Sequence, residues 1–203
     1  MNEDIKKAFK DAREKANVIL SMIRYNKEKD ELIPTNEIIR AVEKKMKVEV
    51  KFATYDFKKL VDKNIPQSLN VGKCGAAMCV SQNNGKSTAA ILLNERENAR
   101  KQRFSLVHEL CHLMLQGTVC NDGFRVSTHI DMDLTSIPTE ILEKQDNNFL
   151  LQEQQANIFA LLVLMPGDMF ERVKEEKDSI SEIARVFGVE KDAVYSRFIL
   201  DLA

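Results

Sequence analysis

Apolar residues recur near helical spacing over residues 2–26, at Ile5, Phe9, Ala12, Ala16, Ile19, Leu20 and Ile23, which predicts one amphipathic helix. A second helix is expected after Pro34 and Thr35, carrying Ile38, Ile39, Val42 and Met46. The period then changes. Residues 48–54 (VEVKFAT) alternate apolar and polar side chains, as a half-buried strand does. Residues 75–82 (GAAMCVSQ) and 87–93 (STAAILL) flank Asn84-Gly85, a pair that tolerates positive φ and so marks a hairpin. A small three-stranded sheet is therefore expected in the middle of the chain.

Helix returns at Asn94, whose side chain can cap it while Glu97 reaches back to the cap. This helix is expected to run to about Gln116 and stop at Gly117, with Leu106, Leu110, Leu113 and Met114 as its buried stripe. Residues 118–147 are polar and irregular, apart from a short helix predicted after Pro138. Residues 148–164 (NFLLQEQQANIFALLVL) read as a strongly apolar helix that Pro166 ends. The tail from 168 to 203 reads as short helices broken at Gly188. Seven Gly and four Pro are too few for long linkers. The organisation expected is α+β, with a core domain over residues 1–166 and a helical extension over 167–203.

Composition narrows the function classes. Thirty Lys and Arg against thirty-one Asp and Glu leave a formal charge of −1, which argues against attachment to nucleic acid or anionic lipid by bulk charge. A chain of 203 residues needs no disulfide to bury a core, and its four cysteines are few. The charged N-terminus lacks the apolar stretch of a signal peptide, and no run nears the eighteen or so apolar residues of a membrane span. The expected setting is the cytoplasm, with thiols reduced and no membrane partner.

The segment that points to chemistry is His108-Glu109-Leu110-Cys111-His112, which contains two of the chain's three histidines. Residues four apart on a helix share a face, so both imidazoles can reach one zinc ion. Glu109 projects beside them and can act on water as a general base without being a ligand. The longer pattern HExxHxxGxxH is absent, because positions 115 and 118 are Leu and Thr. A third ligand is expected from Glu153, the one acid of the apolar helix, since a carboxylate there is costly without a partner and a zinc ion supplies one. Asn157 lies one turn further and can hydrogen-bond a ligating imidazole.

The run from Arg103 to His112 (RFSLVHELCH) is similar to the RFTxAHELGH segment of the ImmA/IrrE family of zinc endopeptidases. The run from Glu153 to Pro166 (EQQANIFALLVLMP) resembles the ExEANxFAxxLLMP segment of the same family. The order of elements, including a hairpin ending in IxxN, is similar over roughly residues 15–200. The resemblance implies a zincin-like fold with His108, His112 and Glu153 as ligands of Zn2+ and Glu109 as catalytic base. It further implies cleavage of an intracellular helix-turn-helix repressor, relieving repression of phage, mobile-element or stress genes. Three departures stand out: Cys111 replaces Gly, Gln155 replaces the second Glu, and the stretch 118–147 is longer. Cys111 is small enough for close packing, and its thiol is expected beside the metal without ligating it.

The oxyanion of peptide hydrolysis needs a further donor. His129 and Tyr55 are candidates, while Arg103 is equally able to hold the motif helix by pairing with an acid. An extended substrate is expected to pair with an open edge of the sheet. Residues 179–197 have the pattern of a helix-turn-helix, yet residues 168–203 carry six basic and nine acidic side chains, which opposes phosphate binding. Cys74 and Cys79 lack a second close pair of the kind structural zinc requires. Two rival readings remain: a binding module that sequesters a repressor without cutting it, and a DNA-binding regulator acting through residues 179–198.

Overall fold

Seven helices and four strands form among the described residues of the computed structural model, which are residues 3–23, 32–56, 76–83, 86–116, 124–125 and 147–202. Helix α1 (Glu3–Met22) buries Ala12, Ala16 and Ile19, the stripe its periodicity predicted. Helix α2 (Thr35–Met46) ends at Lys47, a left-handed residue with φ 55° that turns the chain directly into β1 (Val48–Tyr55). Glu43 of α2 reaches across that turn, its Oε1 accepting from the Val50 backbone N–H at 2.9 Å.

The sheet has the order β1, β3 (Lys86–Asn94), β2 (Ala76–Asn83), β4 (Phe124–Arg125). Strand β3 (Lys86–Asn94) pairs in parallel with β1, from Val48 opposite Ser87 to Tyr55 opposite Asn94. Strand β2 (Ala76–Asn83) lies antiparallel to β3, with Asn83 opposite Lys86 as a tight hairpin requires. These are the three strands expected. A fourth, β4 (Phe124–Arg125), adds two residues beside Met78 and Cys79 of β2 and falls within the stretch expected to be irregular. The Asn84-Gly85 turn, Gly117, the predicted helix after Pro138 and His129 lie outside the described residues.

Helix α3 (Ala99–Gln116) begins five residues later than Asn94, where the sequence placed its start. Asn94 is the last residue of β3 and its pairing with Tyr55 holds it extended, so it cannot open a helix. Its Oδ1 instead accepts from the Arg96 N–H at 3.1 Å. The cap passes to Asn98, whose Oδ1 accepts from the N–H groups of Arg100 and Lys101 at 3.0 and 3.1 Å.

A second expectation also changes. Rather than burying one stripe, α3 is buried at every residue from Phe104 to Leu113. It packs on β2 and β3, on α2, and on helix α4 (Asn147–Leu164). Helix α4 lies in contact with both α1 and α3, which explains why it is apolar nearly all round.

Beyond α4, Pro166 introduces α5 (Gly167–Glu176). Helix α6 (Ile180–Phe187) starts on Ser179, whose Oγ accepts from the Glu182 N–H, and ends on Gly188 at φ 60°. Helix α7 (Lys191–Leu202) follows. Ile183, Phe187, Val194 and Leu200 join one continuous core with α1, α3 and α4. Arg197 is buried with them, donating from Nε to the Met165 carbonyl at 3.2 Å, pairing with Asp201 and lying 4.9 Å from the centre of the Phe170 ring. No described helix is long and apolar enough to cross a membrane.

Candidate metal centre

Helix pitch brings the His108 and His112 rings to 4.8 Å between centroids, edge to face, with their Nε2 atoms 3.0 Å apart. Helix α4 packs against this turn of α3 and delivers Glu153. Its Oε1 lies 3.0 Å from His112 Nε2 and its Oε2 3.2 Å from His108 Nε2. Asn157, one turn on, places Oδ1 2.8 Å from His108 Nδ1. His108, Glu109, His112 and Glu153 are all buried, none more than 5% exposed. The three acceptor-bearing side chains from two helices form a group that could hold a metal ion.

The electrostatics of Glu153 run against its burial. Desolvation pushes its carboxyl upward, but hydrogen bonds from and the charge of His108 and His112 outweigh that and hold it at about 2. The carboxylate is therefore ionised wherever the protein is folded at ordinary pH.

The donor set fits a divalent cation. Asn157 Oδ1 can take a proton from His108 Nδ1, which leaves Nε2, 3.2 Å from a carboxylate oxygen, to share with that oxygen either a second proton or, in its place, a metal ion. Two lone pairs at that distance repel unless positive charge lies between them. In a tetrahedral zinc site with bonds of 2.0–2.1 Å, neighbouring ligand atoms stand about 3.4 Å apart. The 3.0 Å between the two Nε2 atoms comes within a few tenths of an ångström of that edge, and the two oxygens of the one carboxylate approach them separately, Oε1 to His112 at 3.0 Å and Oε2 to His108 at 3.2 Å.

The other residues singled out by the sequence take different places. Glu109 sits buried on the same turn as His108. Cys111 donates from Sγ to the backbone carbonyl of Gln155 at 3.8 Å, across the contact between α3 and α4. Burial pushes this thiol up and keeps it protonated. Tyr55 lies opposite Asn94 and accepts from the Glu95 N–H, next to the entry of α3, about 14 Å of helical rise before His108.

Arg103 pairs with no acid among the described residues. It donates from Nη1 to Thr35 Oγ1 at 2.7 Å and from Nη2 to the Ile33 carbonyl at 2.9 Å. Desolvation lowers its guanidinium to about 10. Gln102 beside it donates from Nε2 to the carbonyls of Asn94 and Glu97 at 2.9 and 3.0 Å. Sequence reasoning missed these backbone acceptors, because every residue carries a carbonyl and none signals its use.

The family model Peptidase_M78, described as IrrE N-terminal-like domain, matches residues 75–198, from the start of β2 into α7. No curated protein matches the chain. The match takes in both helices that form the buried histidine–glutamate group, as well as β2 and β3, the strands on which α3 rests. With the α+β architecture and this coverage, the chain belongs to the IrrE N-terminal-like family of metallopeptidases.

Proposed function

We propose that the chain is a zinc-dependent endopeptidase, with His108, His112 and Glu153 as metal ligands and Glu109 as general base. The observation that carries this reading is the convergence of two imidazole Nε2 atoms and one carboxylate, from separate helices, at 3.0–3.2 Å in a buried setting. Zinc, when bound, polarises the scissile carbonyl, acidifies water and stabilises the charge that develops on oxygen. Glu109 takes a proton from the attacking water and delivers it to the leaving amine. Asn157 holds the His108 proton on Nδ1 and so keeps Nε2 available.

The substrate proposed is an intracellular helix-turn-helix repressor, in keeping with the family resemblance of the two motif helices. An extended segment of it would add to an outer strand of the sheet, β1 or β4 among the described strands. Residues 167–203 are proposed as a packing extension of the core over 1–166, since the acidic balance of the tail and the burial of Arg197 both oppose phosphate contact.

The test is elemental analysis of the purified chain with cleavage assays against repressors encoded nearby. Zinc near one equivalent is expected in the wild type and little in His112→Ala. Glu109→Gln should keep its zinc and lose cleavage by about 10²–10⁴-fold. Unchanged turnover in Glu109→Gln removes it as the base. Repressor binding by the wild type without any cut supports a sequestering module instead.

A further inference from the structure

Enclosure of α3 from Phe104 to Leu113 raises a question of aim. An amphipathic helix takes its rotation about its own axis from the contrast between an apolar face and a wet one. A helix buried on every side has little such contrast. Yet the aim matters: a rotation of about 10° moves an atom about 6 Å from the axis by about 1 Å, given a Cα radius of about 2.3 Å. Metal sites tolerate about 0.2 Å.

Polar tethers supply what the hydrophobic pattern does not. Gln102 and Arg103 are consecutive, so their side chains leave the helix about 100° apart. Gln102 holds the connection from β3 through two carbonyls, and Arg103 holds the chain entering α2 through Thr35 Oγ1 and the Ile33 carbonyl. Two anchors in two directions define a rotation where one would leave a pivot. Arg103 is the stiffer of the pair, because its planar fork meets both acceptors at once. Burying a guanidinium against a hydroxyl and a carbonyl is costly, so this residue is an expensive way merely to fill space.

We propose that Arg103 is a positioning residue which, with Gln102, fixes the rotation of α3 and thereby aims Nε2 of His108 and His112 at the Glu153 carboxylate. The proposal rests on the metal reading of those three residues. A lysine cannot replace the fork, since its point charge reaches only one acceptor in a fixed direction.

The experiment titrates the purified, metal-free full chain with Co2+ and records its visible absorption, a report on ligand geometry. Wild type, Arg103→Lys, Arg103→Met, Thr35→Val and Arg197→Met are compared, with thermal unfolding of each metal-free protein in parallel. Arg197→Met is the control for lost stability without a lost tether on α3. Arg103→Lys is expected to bind Co2+ about tenfold more weakly, with an altered band, and Thr35→Val to move the same way by less. Arg197→Met is expected to lower the Tm and leave affinity and band unchanged. Wild-type affinity and spectrum in both Arg103→Lys and Thr35→Val overturn the proposal, as does an equal loss in Arg197→Met; Thr35→Val decides the matter if Arg103→Met fails to fold. If the wild type itself takes up no Co2+, the metal reading falls and this proposal with it. If the wild type binds and the Arg103 variants match it, only the positioning role falls.

Discussion

The Oδ1 of Asn157 lies 2.8 Å from Nδ1 of His108, across the contact between α4 and α3. A neutral imidazole carries one proton, and an acceptor at Nδ1 keeps it there, leaving Nε2 as a lone pair. Among the described residues His112 Nδ1 has no hydrogen-bond partner, so the two rings are not held alike. Asn157→Ala is therefore expected to weaken metal binding by about 10–100-fold. Competition against a chromophoric chelator reads this directly, and Asn157→Asp, which keeps an acceptor, should recover most of the loss. An Ala variant with wild-type affinity would show that packing alone orients the ring.

Glu153 makes the metal-free protein sensitive to acid. Its folded pKa of about 2 lies below the ordinary 4.5, so its ionised form favours the folded state. That contribution is fully present above about pH 4.5 and is lost as pH falls through the folded value near 2. Urea unfolding of the metal-free wild type and Glu153→Gln should differ most near pH 6 and converge toward pH 2–3. A gap that stays constant over this range would place the benefit of Glu153 in packing rather than charge.

Arg197 serves the fold. Its Nε hydrogen bond to the Met165 carbonyl, its pairing with Asp201 and the Phe170 ring beneath it tie α7 to the end of α4. Losing a charged, buried hydrogen-bonding group costs about 2–3 kcal/mol, so Arg197→Met should lower the Tm by about 5–10 °C. Arg197 also belongs to the helix-turn-helix-like pattern of residues 179–197, and its burial withdraws it from phosphate. Mobility-shift measurements on the full chain should show no salt-sensitive retardation of duplex DNA, and a clear shift would contradict this placement.

Gly188 closes α6 in the left-handed region, at φ 60°. A Cβ there would stand 2.7 Å from Leu32 Cδ1, the tip of a side chain 42% exposed and free to swing away. The cost of Gly188→Ala is therefore mainly backbone strain, about 1–2 kcal/mol. Chemical denaturation should find that adding Leu32→Ala does not restore stability. Recovery in the double variant would assign the cost to the side-chain collision instead.

Several features were readable from local pattern because local geometry creates them. The spacing of His108 and His112, and of Glu153 and Asn157, follows from helix pitch, which any residue four positions along obeys. The strands announced themselves by alternation in VEVKFAT and by the Asn84-Gly85 signal, and α4 by its apolar run. The start of α3 was not readable in the same way. Asn94 and Asn98 are equally good caps, and the choice belonged to Tyr55, whose pairing keeps Asn94 in the sheet. The acceptor of Cys111 was likewise hidden, since it is a backbone carbonyl on another helix.

By itself the sequence determined which side chains share a turn, because neighbours three or four positions apart on a helix meet whatever else the chain does. It determined too that Glu153, an acid on an apolar helix, needed a partner. Only the tertiary structure decided which partner, bringing α4 against α3 so that one carboxylate meets two imidazoles at 3.0 and 3.2 Å. Only it decided what steadies α3, joining Arg103 to acceptors at Ile33 and Thr35 roughly seventy positions earlier in the chain. The physical reason is that hydrogen bonds and close packing act through space over a few ångströms, whereas the order of residues records distance along the backbone.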